Sequence, residues 1–404
     1  ALLQPGFWLS FVAVGLLMSS DVVHRSHETE SSAASGWRAR AFGAWRHLRA
    51  GLRSQVIATL GLAPLSLVFF QQVSVVGFLA NLLAIPLITL VITPLALLGA
   101  FVAPLWWLAA WCVQQLSVVL AWLASLPGAV WVVPVAPVWA QVAAMLAAAL
   151  LVMTIPWRLR ALAVPLALPL LMPPIAVPGE GRFELLAVDV GQGSSVLVRT
   201  HSHLLVYDAG PQYSSVSDAG QRLLLPLLRA RGEQRIDRLV LSHRDTDHVG
   251  GAKALLQSLP VGDLSSSLED GHPLLALAKV QERCVGGQSW LWDGVRFDVL
   301  QPPAEAYGAG LKTNAMSCVL RVSSARSGSA LLTGDIERAQ EEALVATLGS
   351  ALASDVLVAP HHGSKTSSTP AFLDAVAPKQ AVFQAGYRSR FGHPAPEVVA
   401  RYRE

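Results

Sequence analysis

His243-Arg244-Asp245-Thr246-Asp247-His248-Val249-Gly250-Gly251 is the stretch that decides how this chain is read. It leaves an apolar run, Arg238 to Leu241, that has the texture of a short strand, and it sets two imidazoles and two carboxylates side by side before a Gly-Gly turn. A loop at the exit of a strand can turn alternate side chains toward one point. Imidazole and carboxylate together suit Zn, Mn or Fe. A solvated surface turn needs no such concentration of ligand types, so the segment is read as a metal site with hydrolysis as its default chemistry.

Upstream the texture is different. From Ser54 to Trp157 the 104 residues contain no Asp, Glu, Lys, Arg or His. Soluble domains are about a quarter charged, and a helix crosses a bilayer with about 20 apolar residues. Apolar segments fall at about 1–20, 55–76, 78–103, 105–126, 138–156 and 161–177, so residues 1–177 are expected to form a multi-helix transmembrane region of about six spans. Ala1 to Ser20 is already apolar and has neither the basic start nor the small-residue cleavage site of a signal peptide. The chain is therefore expected to begin inside a span. In the third segment Asn81, Pro86 and Pro94 interrupt a helix interior, which makes it the candidate for lining a passage.

Charge divides the chain in the same place. Before residue 178 there are 8 Lys and Arg and 3 acids, and after it 22 and 24, or net charges of +5 and −2. A net negative second half argues against a broad basic nucleic-acid platform, though not against a local basic groove. The basic residues from Arg25 to Arg53, together with Arg158 and Arg160, are expected on the cytoplasmic side. Counting spans from there puts everything after about Pro178 on the external face. Of the three cysteines, Cys112 reads as packing among membrane residues, and a bridge between Cys284 and Cys318 stays open.

Residues 178–404 alternate short β-branched runs with helix-like stretches, which implies layered α/β packing. Strands are expected at Phe183 to Val188, Ser195 to Arg199, Leu204 to Tyr207, Arg238 to Leu241, Arg296 to Leu300, Ser317 to Val322, Ala330 to Leu332, Val356 to Val358 and Gln380 to Phe383. Helices are expected near Gly220 to Arg231, Gly251 to Ser258, Glu337 to Leu348, Pro370 to Ala375 and Ala395 to Arg403.

The His243 segment resembles the His-x-His-x-Asp-His motif of the metallo-β-lactamase superfamily, with Asp245 in place of the second His. That resemblance implies an αββα sandwich and two divalent metal ions. His243 and Asp245 would hold the first, and Asp247 and His248 the second, with Asp247 also counted as catalytic. The harder Asp245 ligand leans the pair toward Mn as well as Zn. Leu331-Leu332-Thr333-Gly334-Asp335 resembles the superfamily's metal-bridging Asp motif, and Ala359-Pro360-His361-His362-Gly363-Ser364 its last metal-ligand His, with His361 placed ahead of His362. Val206-Tyr207-Asp208-Ala209-Gly210 matches the motif whose Asp orients the metal loop. No counterpart to the superfamily's third His is found before Asp335, because His272 comes too early. Asn314-Ala315-Met316-Ser317-Cys318 occupies that region, and leaves the first metal short of protein ligands.

Further motifs narrow the family. Val188-Asp189-Val190-Gly191-Gln192-Gly193, Asn314 with Ser317, Pro360 to Ser368, and Phe391-Gly392-His393-Pro394 together are similar to the ComEC family of competence proteins. Pro5-Gly6-Phe7-Trp8-Leu9-Ser10-Phe11 and Asn81-Leu82-Leu83-Ala84-Ile85-Pro86 resemble that family's membrane region. The resemblance implies DNA uptake across the bacterial inner membrane, with a periplasmic hydrolase domain that degrades the non-transforming strand. The implied partners are single- or double-stranded DNA, membrane lipid and other competence proteins. Asp189 and Gln192 would lie in a turn near the metals. His393 and Ser364 join the catalytic candidates, and Lys365 and Arg390 are phosphate partners by charge. Ser194 stands where family members often carry an acid, and Ser389-Arg390 where they often show Asn. The competing reading is a membrane-anchored hydrolase of small phosphodiesters or lipids without a transport role.

Overall fold

The computed structural model of the protein describes residues 4–25, 37–153 and 155–404. The chain divides into two compact units, Ala1–Ile175 and Ala176–Glu404.

The first unit is helical. Arg49–Phe70, Gly77–Leu98 and Pro104–Ser125 are long and apolar enough to cross a membrane, by length and composition, whereas the apolar helices Pro5–Gly15 and Val138–Leu151 are shorter. The segment expected at 161–177 forms only the nine-residue helix Ala163–Leu171. Prolines recur through it at 165, 169, 173 and 174, and each removes a backbone donor that a longer helix needs. Nine residues rise about 14 Å, well short of the roughly 30 Å of a hydrocarbon core. Most of the basic residues between Arg25 and Arg53 lie on a helix. Arg38, Arg40, Arg46, Arg49 and Arg53 lie on the helix Trp37–Phe70, while residues 26–36 fall outside the described residues. Between Pro86 and Pro94 the third segment is widened rather than broken, because a π-helical turn, Ile88–Ile92, joins Gly77–Leu87 to Thr93–Leu98. Such turns absorb a mismatch in the hydrogen-bond ladder. No residue of that span's apolar window is buried, so it presents a surface that hydrocarbon tolerates and water penalises.

The second unit is a sandwich of two six-stranded sheets. The first sheet contains β1 (Glu184–Ala187), β2 (Val196–Arg199), β3 (Leu204–Tyr207), β4 (Ile236–Leu241), β5 (Val261–Ser266) and β6 (Gln281–Arg283). The second contains β7 (Ser289–Trp292), β8 (Val295–Gln301), β9 (Val319–Ser324), β10 (Gly328–Leu332), β11 (Val356–Val358) and β12 (Gln380–Val382). Strand order follows the chain in both, reversed in the first. Each sheet mixes an antiparallel part with a parallel part: β3 to β6 run parallel in the first sheet and β10 to β12 in the second.

Alternation of side chains along the strands builds the layers. Leu205 and Tyr207 enter the core between the sheets with Phe297, Leu320, Leu332 and Val358. Their neighbours Leu204 and Val206 pack outward against Leu225, Leu228 and Leu255 of the helices Leu225–Ala230 and Ala252–Ser258. On the other face Val319, Leu331 and Leu357 meet Leu344, Phe372 and Val376 of Arg338–Leu348 and Pro370–Val376. The result is the four-layer αββα arrangement. Cys284, just after β6, and Cys318, just before β9, form a disulfide with 6.0 Å between their Cα atoms, so the bridge links the two sheets. Cys112 is free.

Candidate metal centre

The ligand-type residues gather where parallel strands end, the edge at which open α/β sheets collect their ligands. Asp208 follows β3, His243 to His248 follow β4, Asp335 follows β10, and His361 and His362 follow β11. Asp335 is nearly buried and stands at the middle of the group. Its Oδ1 is 3.1 Å from His248 Nε2, and its Oδ2 lies 4.0, 3.7 and 3.6 Å from Nε2 of His243, His361 and His362. His362 Nε2 is also 3.2 Å from Asp247 Oδ2. Two sets of three residues bring ligand atoms within 4.8 Å of one another: His243, His248 and Asp335, and Asp247, His248 and His362.

These residues fit a bound cation. Nε2 of His243, His248 and His362 and Oδ1 of Asp335 are buried without a hydrogen-bond partner. Buried polar atoms are normally satisfied, and four of ligand type turned toward one region are what a divalent ion relieves. The carboxylates and imidazoles of the cluster also interact with one another. Burial lowers the His248 imidazole, but the carboxylates of Asp335 and Asp208 outweigh it and push its pKa well above the ordinary value. Burial raises the Asp335 carboxyl, yet the imidazoles of His248 and His362 hold it well below the carboxylate range. Asp247 is likewise raised by burial and more strongly lowered by His362 and His248.

Behind the cluster sits a carboxylate clamp. Asp208 Oδ1 accepts the Ser242 N–H at 2.7 Å and Oδ2 accepts the Ser242 hydroxyl at 2.8 Å, while His248 Nδ1 lies 2.7 Å from Oδ2. With its proton on Nδ1, His248 turns the lone pair of Nε2 toward the cluster. Ser317 links the sheets at the other end: its Oγ accepts the Asp335 N–H at 3.0 Å and is 3.4 Å from His243 Nδ1. The Gln192 segment closes the near side. Gly193, at φ 140°, has no room for a side chain, since a Cβ there would meet the Asp247 carbonyl at 2.4 Å. The next residue, Ser194, donates its N–H to that same carbonyl.

Not every expected residue reaches the centre. Asp245 is 3.6 Å from His243 Nε2, and its side chain is 45% exposed, so it stands at the rim. His361 and His362 are consecutive left-handed residues, with φ of 51° and 54°. That backbone is uncommon outside glycine and recurs at functional sites. It turns the two rings differently: His362 joins Asp247 and His248, while His361 keeps Nε2 3.7 Å from Asp335 Oδ2 and faces Thr366 Oγ1 at 3.2 Å and Glu337 at 3.6 Å through Nδ1. The Ser364 hydroxyl pairs with Thr366, and Lys365 pairs with Glu397 at 3.4 Å. Asp189 is exposed and its Oδ1 accepts the Gly191 N–H, which shapes the turn. Gln192 Oε1 accepts the Gly386 N–H. The Asn314 carbonyl accepts the Ser317 N–H. The His393 ring centroid lies 5.7 Å from that of His361 and 6.3 Å from that of His362. Burial, and then the neighbouring His361 and His362, lower its pKa. Arg390 lies over Phe391.

Sequence reasoning missed three supports. Ser242 precedes the metal segment and has no motif of its own. Gln384 takes the Ser194 hydroxyl on Oε1 and donates through Nε2 to the carbonyls of Val188 and Ser195, which ties the chain after β12 to the first sheet. Glu341, on the helix Arg338–Leu348, accepts the N–H groups of Ser368 and Thr369 beyond the His361 turn. Glutamate and glutamine on a helix and a strand end carry no local signal for such distant contacts.

Comparison with known proteins agrees with both units. Residues 1–158 match the family model described as Competence protein, and residues 188–386 that of the Metallo-beta-lactamase superfamily. Competence protein ComA of Neisseria gonorrhoeae is 36% identical over 407 residues, which cover 100% of this chain and 53% of that protein. The uncharacterized protein YcaI of Escherichia coli is 30% identical over 417 residues, covering 100% and 51%. Recombination protein 2 of Haemophilus influenzae is 33% identical over 214 residues, covering 53% and 26%. The chain thus spans about half the length of the curated relatives that match it from end to end. By these matches, and by the joining of the two parts in one chain, the protein is similar to the competence proteins and carries candidate membrane helices before a metallo-β-lactamase fold.

Proposed function

We propose that the protein takes part in DNA uptake through the bacterial inner membrane, and that residues 178–404 form a metal-dependent phosphodiesterase that degrades the strand not taken in. Residues 1–177 are the membrane region in this reading. The observation that carries the reading is the group of imidazoles and carboxylates around Asp335, with orphaned ligand atoms, in a chain similar to the competence proteins. His243, Asp335 and the rim carboxylate Asp245 are assigned to one divalent ion, and Asp247, His248 and His362 to the other, with Asp335 reaching both. Mn or Zn bound there would supply hydroxide near neutral pH and offset charge on a phosphoryl group.

The chain's own residues do the remaining work. Asp208 fixes the His248 tautomer and the start of the metal loop. Ser317 holds the Asp335 backbone. His393, over the cluster, is assigned to phosphate contact or proton donation to the leaving oxygen. A periplasmic position is supported by the Cys284–Cys318 disulfide, since such bridges persist in oxidising compartments.

A transformation assay tests both parts. A deletion strain complemented with the complete gene should regain uptake of labelled DNA, and the Asp247→Ala version should leave the complementary strand undegraded. Equal strand degradation by Asp247→Ala and wild type would remove the nuclease assignment. Normal uptake in the deletion strain would remove the transport role and leave a membrane-anchored hydrolase of small phosphodiesters.

A further inference from the structure

The loop Gly386 to His393 lies next to the cluster and has a composition unlike the rest of its rim. Tyr387 is 91% exposed and Phe391 is 56% exposed. Each carries a guanidinium over its ring, Arg388 at 5.4 Å from the Tyr387 centroid and Arg390 at 4.8 Å from that of Phe391. From Lys379 to Pro396 there is no Asp or Glu. Among the described residues, no carboxylate forms an ion pair with Arg388 or Arg390, in contrast to Lys365, Arg244 and Arg283. The loop is also held in place. Gly386 N–H is bonded to Gln192, Ser389 N–H to the Gly386 carbonyl, Gly392 N–H to the Ser389 carbonyl, and Ala395 N–H to the Gly363 carbonyl beside His362.

From the exposed tip a row of rings runs inward. Phe391 and His393 are 5.8 Å apart with planes inclined at 29°, and His393 and His362 are 6.3 Å apart at 27°. Large exposed aromatic rings in a fixed loop have two common uses, contact with bases and contact with a bilayer surface. A bilayer contact has no need of a ring row that leads into a metal cluster. Unpaired bases stack on aromatic faces without sequence preference, and arginines beside them follow the backbone phosphates. Paired bases are already stacked on one another and offer no free face.

We infer that Tyr387, Arg388, Arg390 and Phe391 form a stacking platform for single-stranded DNA, which delivers the phosphodiester of an unpaired strand to the cluster. The inference rests on the phosphodiesterase reading and names its substrate as single-stranded.

The test uses the full chain in phosphatidylcholine nanodiscs, with chelator present so that nothing is cut. Anisotropy is measured with a fluorescent oligothymidylate, with an abasic oligomer of the same length, and with a duplex. Wild type should bind oligothymidylate more tightly than the duplex and about 100-fold more tightly than the abasic strand, at roughly tenfold for each stacked ring. Tyr387→Ala with Phe391→Ala should bring oligothymidylate down to the abasic level, and Tyr387→Trp with Phe391→Tyr should restore the preference. Equal loss on both single strands in the alanine variant, or no loss on either, overturns the platform while leaving the phosphodiesterase reading intact. Sedimentation with phosphatidylglycerol vesicles that falls in the alanine variant, with DNA binding unchanged, assigns the loop to lipid and also overturns it. A wild-type chain that binds no DNA and, with Mn or Zn restored, cuts none overturns both readings.

Discussion

The two ends of the cluster are built to different standards. At the His248 end the imidazoles are buried, His248 is backed by the Asp208 carboxylate, and His362 is carried by a strained left-handed turn whose following residues are tied down by Glu341. At the His243 end one buried imidazole faces an Asp245 carboxylate that is nearly half exposed, and two serine hydroxyls support it from behind, Ser242 Oγ at 2.9 Å and Ser317 Oγ at 3.4 Å from Nδ1, with Asp208 reaching it only through Ser242. A ligand set fixed by its surroundings holds an ion by itself, whereas an open set leaves positions for water or substrate. The comparison therefore predicts one tightly held ion and one whose affinity depends on the bound phosphodiester.

Asp335 reaches both ends, so its removal should have the largest effect. Asp335→Ala is expected to lower phosphodiester cleavage about 10³-fold or more, because several kcal/mol of metal stabilisation is lost, and to abolish both bound ions in elemental analysis of the purified chain. Retention of one ion would mean that the ends are independent. Next comes the choice between neighbouring histidines. His362→Ala should take metal content from about two ions per chain to about one, while His361→Ala should leave the content unchanged. The reverse pattern would exchange the two assignments. The smallest effect is expected from Asp208→Asn, which keeps the shape of the clamp and removes its charge. Metal affinity at the His248 end should weaken about 10- to 100-fold, visible as a shift in a zinc titration, with the far-ultraviolet circular dichroism unaltered. An equal shift at both ends would show that Asp208 supports the whole edge rather than one ion.

What sequence could reveal depended on how local each feature is. The His243 to His248 segment was legible because its ligands lie within two turns of chain, and β3, β4, β9, β10 and β11 were legible because each is an apolar run between polar loops. β5, β6 and β7 were not expected. Val261–Ser266 ends in two serines, Gln281–Arg283 is wholly polar, and Ser289–Trp292 is an edge strand whose tryptophans pack on Phe297. All three are held by pairing with neighbours rather than by their own propensity. The choice between His361 and His362 was not legible in the sequence either. Two adjacent histidines are equivalent in sequence, and only the positive φ of both separates their directions. In the helical unit, hydropathy located the apolar segments well but overestimated the length of the last one, where proline spacing counted for more than composition.

The ligands come from two layers: Asp247, His243 and His248 belong to the loop of one sheet, Asp335 and His362 to loops of the other. An ion bound among them would be a non-covalent cross-link across the sandwich. Loading would then be a thermodynamic partner of folding, with each tenfold rise in free metal above its dissociation constant adding about 1.4 kcal/mol to the unfolding free energy of the domain. Metal supply in the compartment would set the lifetime of the hydrolase as well as its rate.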